Sequence, residues 1–126
     1  LKEIRDSAPF PVESALESLR QAATFLRKNL QSQTIMITLS EKGLFLDDQA
    51  ESRLHPTVPR NVADVSGAGD TVISIATLAL AAGLNPETVA VLSNLAGGQV
   101  CEYPGVVPVR RDVLEHELDL WLKQHT

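Results

Sequence analysis

The stretch Asp64-Val65-Ser66-Gly67-Ala68-Gly69-Asp70-Thr71 lies directly before the apolar run Val72–Ala82, and it constrains this chain more than any other segment. Two glycines one residue apart let the backbone turn sharply and come close to a ligand. A helix starting there aims its first unpaired N–H groups, and the positive end of its dipole, back at the bend. Gly67, Ala68 and Gly69 would thus form a small cradle for an anion, and Asp70 places a carboxylate beside it. A negative group next to an anion site is unfavourable unless it has a function. Orienting a hydroxyl that attacks phosphorus is one such function. Competing motifs fail on particular residues. A dinucleotide fingerprint requires glycine at position 72, where Val72 stands, and no Gly-Lys-Ser/Thr triplet occurs. The plain alternative is a capped helix start, since Asp is a favoured cap and glycine-rich turns are common.

With 126 residues and 44% hydrophobic content, the chain can form one domain, or part of one, around a packed core. Its net charge of −5 argues against nucleic acid as a partner. A single cysteine, Cys101, forbids an internal disulfide and fits a reducing compartment, so a cytoplasmic location is expected. Near a helix end it reads as a small buried apolar residue. The longest apolar run is too short to span a bilayer, no signal-peptide pattern is present, and no membrane association is expected.

Along the chain, Val12, Leu16, Leu19, Ala23, Leu26 and Leu30 recur at spacings of three and four. They predict one helix with Pro11 in its first turn. Ile35–Leu39 is a nearly continuous apolar run and predicts a central strand buried on both faces. Ser40–Gly43 follows as a turn at that strand's C-terminal end, where open α/β sheets bind ligands. On spacing alone it reads as a hairpin turn into Leu44–Leu46. Phe45–Asp48 and Glu51–His55 predict a two-stranded meander with Asp47 and Asp48 solvated in its turn. Thr57-Val58-Pro59 is an extended connector.

Asp70–Ala82 predicts a helix with few polar positions, hence buried on most sides, and ended by Gly83. Asn85-Pro86-Glu87 starts another helix that runs toward Val100. Within it, Asn94 is polar among apolar neighbours, and Gly97-Gly98 permit close approach. Tyr103-Pro104-Gly105 is a turn. Val109, Val113, Leu118 and Trp121 predict a last helix packing on the sheet. His55, His116 and His125 show no metal-ligand spacing. This order of elements gives an α/β layered domain.

The motif Asp64–Thr71 resembles the C-terminal signature of the ribokinase/PfkB sugar kinases, and the resemblance runs from about Thr34 to about Val109. Asp70-Thr71-Val72-Ile73, and Leu39-Ser40-Glu41-Lys42-Gly43 with Ser40 where many members carry glycine, resemble the kinase domains of bifunctional ADP-heptose synthases. Those domains phosphorylate D-glycero-β-D-manno-heptose 7-phosphate at its anomeric hydroxyl.

The resemblance implies a ribokinase-like sheet with flanking helices. Residues 1–126 would be its C-terminal portion, while the N-terminal half would carry the lid and most sugar contacts. It implies ATP with Mg²⁺, and a sugar or sugar phosphate as acceptor. Asp70 would be the catalytic base, and the amides of Gly67, Ala68 and Gly69 the anion hole. Thr38, Ser40, Gly43 and Asn94 would contact the nucleotide, with adenosine between the Ser40 turn and the Asn94 helix. Glu3 matches the acid of the family's Asn-x-x-Glu motif, although a frayed polar end is the plainer reading of Leu1-Lys2-Glu3. Asp64 and Ser66 would lie beside a monovalent cation such as K⁺. Ile75 stands where many members carry Ala or Gly. With part of the sheet missing, an open strand edge predicts self-association into homo-oligomers. Two other readings remain: a nucleotide-binding fragment without turnover, and a hydroxymethylpyrimidine or vitamin kinase on the same scaffold.

Overall fold

The computed structural model describes all residues 1–126. The chain divides into two compact units, Leu1–Pro56 and Thr57–Thr126.

The first unit contains α1 (Lys2–Ser7), α2 (Leu16–Leu30) and the strands β1 (Ile35–Thr38), β2 (Leu44–Asp47) and β3 (Ser52–His55). The strands form one antiparallel sheet in the order β1-β2-β3, with Ile37 opposite Phe45 and Phe45 opposite Leu54. Helix α2 packs against this sheet. Its Leu19, Ala22 and Ala23 meet Ile35, Ile37 and Phe45 in one core, which Ile4 and Val12 complete. Phe10 and Phe25 add an edge-to-face pair with centroids 5.6 Å apart.

Four expectations for this unit are corrected. Helix α2 begins at Leu16, after Ala15, so Pro11 lies outside its first turn. The Glu13 amide donates to the Ser18 hydroxyl at 2.8 Å, and the chain reaches the helix through irregular backbone. Val12 is nevertheless buried, from an irregular segment whose carbonyl accepts a 2.9 Å bond from Arg5 Nε. Second, Lys2–Ser7 is a helical turn anchored by buried Ile4, not a frayed end.

Third, β1 is buried on one face, not both, and it has the open edge expected where part of the sheet is missing. Ile35 and Ile37 point inward, Thr38 is exposed, and the central strand is β2, buried at all four positions. A run of apolar residues cannot separate the two cases, because alternation is visible only when the outward positions are polar. Fourth, Asp47 is buried rather than solvated. Its carboxylate pairs with Arg27 from α2 and accepts from the Ser52 hydroxyl at 2.7 Å and the Gln49 amide at 3.1 Å. Asp48 does hold the turn, accepting from the Ala50 and Glu51 amides.

The second unit contains α3 (Ala68–Ala81), α4 (Pro86–Val100) and α5 (Arg111–Gln124). Asn85 caps α4 as the sequence predicts, its Oδ1 accepting from the Thr88 amide at 2.9 Å, with Pro86 in the first turn. Helices α3 and α4 pack together. A Cβ at Gly97 would lie 2.7 Å from Val72 Cγ2, so glycine there lets α4 close onto the first turns of α3. Helix α5 packs against α4 of the same unit, where the sequence pattern pointed to the sheet.

The burial of α3 departs from expectation. Ala76 and Ala79 are buried, but Ile73, Leu78 and Leu80 are exposed. Composition records how apolar a helix is, not how many of its sides this chain covers. No helix is long and apolar enough to cross a membrane.

Candidate active site

The cradle forms at the start of α3. Gly67 precedes the helix with φ +74°, a left-handed conformation in which a side chain is strained. The helix begins at Ala68, so Asp70 is its third residue and not its cap. That removes the plain capping role from Asp70. Its carboxylate makes no hydrogen bond or ion pair within the chain, while its carbonyl accepts from the Ser74 hydroxyl at 2.7 Å. The Ala68 amide donates to the Val65 carbonyl at 3.2 Å, so it is partly engaged. The Gly69 and Asp70 amides belong to the first turn and have no acceptor inside the helix. The expected Gly67–Gly69 set thus gains the Asp70 amide at its far end, with Ala68 partly engaged.

Asp70 opens onto a cavity of about 250 Å³ lined by Gly67, Thr71, Ser74, Ile75 and the segment Val106–Val109. That segment is an apolar wall. Val106 lies over the cradle, since a Cβ at Gly67 would come 3.1 Å from its Cγ1. Each end of the wall is held by a side chain. At one end, Asp64 Oδ2 accepts from the Gly105 amide at 2.9 Å. At the other, buried Gln99 accepts from the Arg110 amide at 2.6 Å and donates to the Arg110 carbonyl at 3.2 Å.

The loop before the cradle is also fixed. The Ala63 and Asp64 amides both donate to the Cys101 carbonyl, at 2.8 and 3.2 Å. Asp64 Oδ1 accepts from the Ser66 amide at 2.9 Å and its hydroxyl at 2.7 Å. The Ser66 hydroxyl, then the Gly105 amide, hold the Asp64 carboxyl below its ordinary pKa. Behind the loop, the Arg60 side chain is 8% exposed and forms a two-point bridge to Glu117 of α5, at 2.8 and 3.0 Å. It also contacts Glu102 at 3.0 Å. A Cβ at Gly98 would lie 2.4 Å from Arg60 Nε, so that glycine makes room for the guanidinium. Sequence reasoning missed Arg60 and Gln99. Their partners stand 57 and 11 residues away, with no local signature.

The other expected site residues fall as follows. Thr38 ends β1 and is exposed. Ser40 opens a 3₁₀ turn (Ser40–Lys42) with φ +55°, which explains why glycine suits that position. Gly43 has φ +97°, and a Cβ there would stand 1.9 Å from the His55 carbonyl oxygen, so the fold itself requires glycine. Asn94 is half-buried on α4, and Glu3 is exposed on α1. Burial raises the pKa of the Cys101 thiol, the opposite of what an activated nucleophile needs. No group of three or more His, Cys, Asp or Glu side chains converges to hold a metal ion.

The fold is that of the ribokinase-like kinases. The chain is similar to phosphofructokinase-2 from Escherichia coli in complex with potassium, with a TM-score of 0.82 and 19% identity over 91% of this chain and 37% of that one. It is also similar to Arabidopsis thaliana ribokinase complexed with ribose and ATP, with a TM-score of 0.78 and 25% identity over 90% of this chain and 38% of that one.

The sequence profile of the pfkB family carbohydrate kinases matches residues 5–111, and the chain belongs to that family. Its relatives include proteins named Bifunctional protein HldE. The one from Nitratiruptor sp. is 36% identical over 90% of this chain, and the one from Citrifermentans bemidjiense is 47% identical over 65%. The chain spans 24% and 17% of the length of those two relatives.

Proposed function

We propose that these residues supply the catalytic base and the phosphoryl cradle of an ATP-dependent sugar kinase acting on a heptose 7-phosphate. The observation that carries this reading is Asp70. It stands in the first turn of α3 beside amides without helical partners, lines a cavity, and its carboxylate makes no bond within the chain.

An acceptor hydroxyl would give its proton to the Asp70 carboxylate as its oxygen bonds to the γ-phosphorus. The bond from that phosphorus to the departing ADP oxygen breaks. The loose transition state makes alignment of the hydroxyl as important as proton removal. The Gly69 and Asp70 amides would stabilise charge on the transferring oxygens, and one such donor contributes on the order of 3 kcal/mol. ATP as phosphoryl donor follows from family membership. Thr38, Ser40, Gly43 and Asn94 would contact its nucleoside, and Glu3 would act toward its phosphates. Magnesium would accompany the nucleotide. The heptose acceptor rests on the relatives named HldE. A sugar-phosphate acceptor fits this reading better than a pyrimidine alcohol for the same reason, and the unengaged Asp70 favours turnover over a silent nucleotide fragment.

The test is Asp70→Asn in the complete kinase containing these residues, assayed with heptose 7-phosphate and ATP. Turnover should fall by about 10²–10⁴-fold at nearly unchanged nucleotide affinity. Asp70 is not the helix cap, so stability should hold. Turnover surviving within a few-fold would show that the carboxylate is not the base.

A further inference from the structure

The resemblance gave Asp64 and Ser66 a place beside a monovalent cation. Their geometry assigns the carboxylate to other work. A carboxylate offers about four acceptor sites, and Asp64 spends three on protein donors: the Ser66 amide and hydroxyl on Oδ1, and the Gly105 amide on Oδ2. The Ser66 hydroxyl donates its proton to Asp64, which fixes its orientation. The two oxygens also have separate tasks. Oδ1 closes a local turn within the cradle loop, whereas Oδ2 crosses 41 residues of sequence to the wall of the Asp70 cavity. Gly105, with φ +76°, is the hinge residue before that wall. The wall's next residue, Val106, rests on Gly67, the residue that starts α3. Gln99 already fixes the wall's far end, through Arg110. The near end is joined to the cradle loop through Asp64.

We propose that Asp64 is a positioning residue, a strut that sets the spacing between cradle loop and cavity wall and so the aim of Asp70, in place of a cation ligand. The proposal rests on the reading of Asp70 as base. Asn at position 64 separates the two tasks. Its amide oxygen still accepts from Ser66, but its NH₂ now faces the Gly105 N–H, and the strut is lost.

The experiment is Asp64→Asn in the complete kinase, with kcat and the nucleotide KM measured across a K⁺ titration. Loss of the strut should lower kcat by about tenfold or more with little change in KM, and added K⁺ should not restore it. Unchanged kcat, or full recovery at high K⁺, would overturn the proposal. Amide hydrogen exchange on the unmodified kinase gives a second readout that survives if the variant does not fold. Gly105 sits in an exposed turn, so its amide should be protected only if Asp64 holds it, and exchange at the rate of an unstructured chain refutes the strut. Asp70→Asn serves as the reference. If that variant keeps its turnover, the base assignment fails, whereas the Gly105 protection still reports on the strut by itself.

Discussion

Gly69→Ala separates what the fold needs from what the chemistry needs. Gly69 is the second residue of α3, and a Cβ there would meet nothing within 4 Å. Its backbone is not in the left-handed region, so alanine is not strained. Gly-to-Ala inside a helix is worth about 0.5–1 kcal/mol, and near a helix end the lower figure applies. The variant should therefore be more stable by about 0.5 kcal/mol, raising Tm by about 1–2 °C in a protein of kinase size. Gly67→Ala is the control. Its φ of +74° and the 3.1 Å approach to Val106 make alanine costly there. A loss of about 1–3 kcal/mol is expected from left-handed strain and crowding. If phosphoryl oxygens dock on the amides of the first turn, the methyl of Gly69→Ala stands in their path. A displacement of about 1 Å costs about 10²-fold in turnover. The assay pairs thermal denaturation with kcat in the complete kinase, and the expected signature is a stabilised enzyme that has lost activity. A destabilised Gly69→Ala variant refutes the structural reasoning, and turnover within a few-fold of the parent refutes the cradle.

Ser40→Gly should relieve left-handed strain of about 1–2 kcal/mol while adding about 0.5–1 kcal/mol of backbone entropy. A net gain of up to about 1.5 kcal/mol should appear as a higher denaturant midpoint at unchanged slope. At Asp47, burial acts to raise the pKa, but the Ser52 hydroxyl, the Arg27 guanidinium and the Gln49 amide outweigh it and hold the carboxyl below 3.8. A depressed folded pKa contributes stability that is complete above about pH 4 and lost as pH falls through the folded value. Asp47→Asn should therefore cost more stability at neutral pH than in acid, and an equal loss at both in denaturant titrations would refute the ion-pair account.

What the sequence disclosed depended on how local the signal is. The cap of α4 is written in three adjacent residues, Asn85-Pro86-Glu87, and it formed as read. The β2–β3 meander and the turn at Tyr103–Gly105 are equally local, and both are present. Helix α3 starts earlier than propensity suggests, because Gly67 takes a left-handed turn that lets Ala68-Gly69 begin the helix. That earlier start makes Asp70 the third residue of the helix and adds its amide to the open donors. The start of α2 failed for the opposite reason. Val12 fits the helical period and is buried, but it reaches the core from irregular backbone, which periodicity cannot distinguish. Asp47 looked like a turn residue because its partner Arg27 lies 20 positions away. Arg60 and Gln99 are invisible for the same reason. Long-range polar pairs depend on tertiary proximity, and no short window encodes it.

The uncovered apolar positions of α3 lead to a last prediction. Ile73, Leu78 and Leu80 are 64%, 68% and 51% exposed, and β1 leaves one edge without a strand partner. Ile73 and Leu80, seven residues apart, share one face of α3, whereas Leu78 lies on the opposite side. Burying a large aliphatic side chain fully is worth about 1.5–3 kcal/mol, so covering that pair would return roughly 2–4 kcal/mol. Association costs about 4–15 kcal/mol in lost rigid-body freedom before any gain appears. The Ile73–Leu80 face alone therefore does not support a tight dimer. Backbone pairing along β1 adds to it, since an open edge presents unpaired N–H and C=O groups to another chain. The balance predicts weak, reversible self-association of residues 1–126 that grows with concentration. Light scattering over a concentration series should show an apparent mass rising above 13.6 kDa. Charged residues at Ile73 and Leu80 should flatten that rise without unfolding the chain, because neither side chain is buried. A mass that stays monomeric throughout, or a rise that the charged variant leaves intact, would show that this face is not what the chain self-associates through.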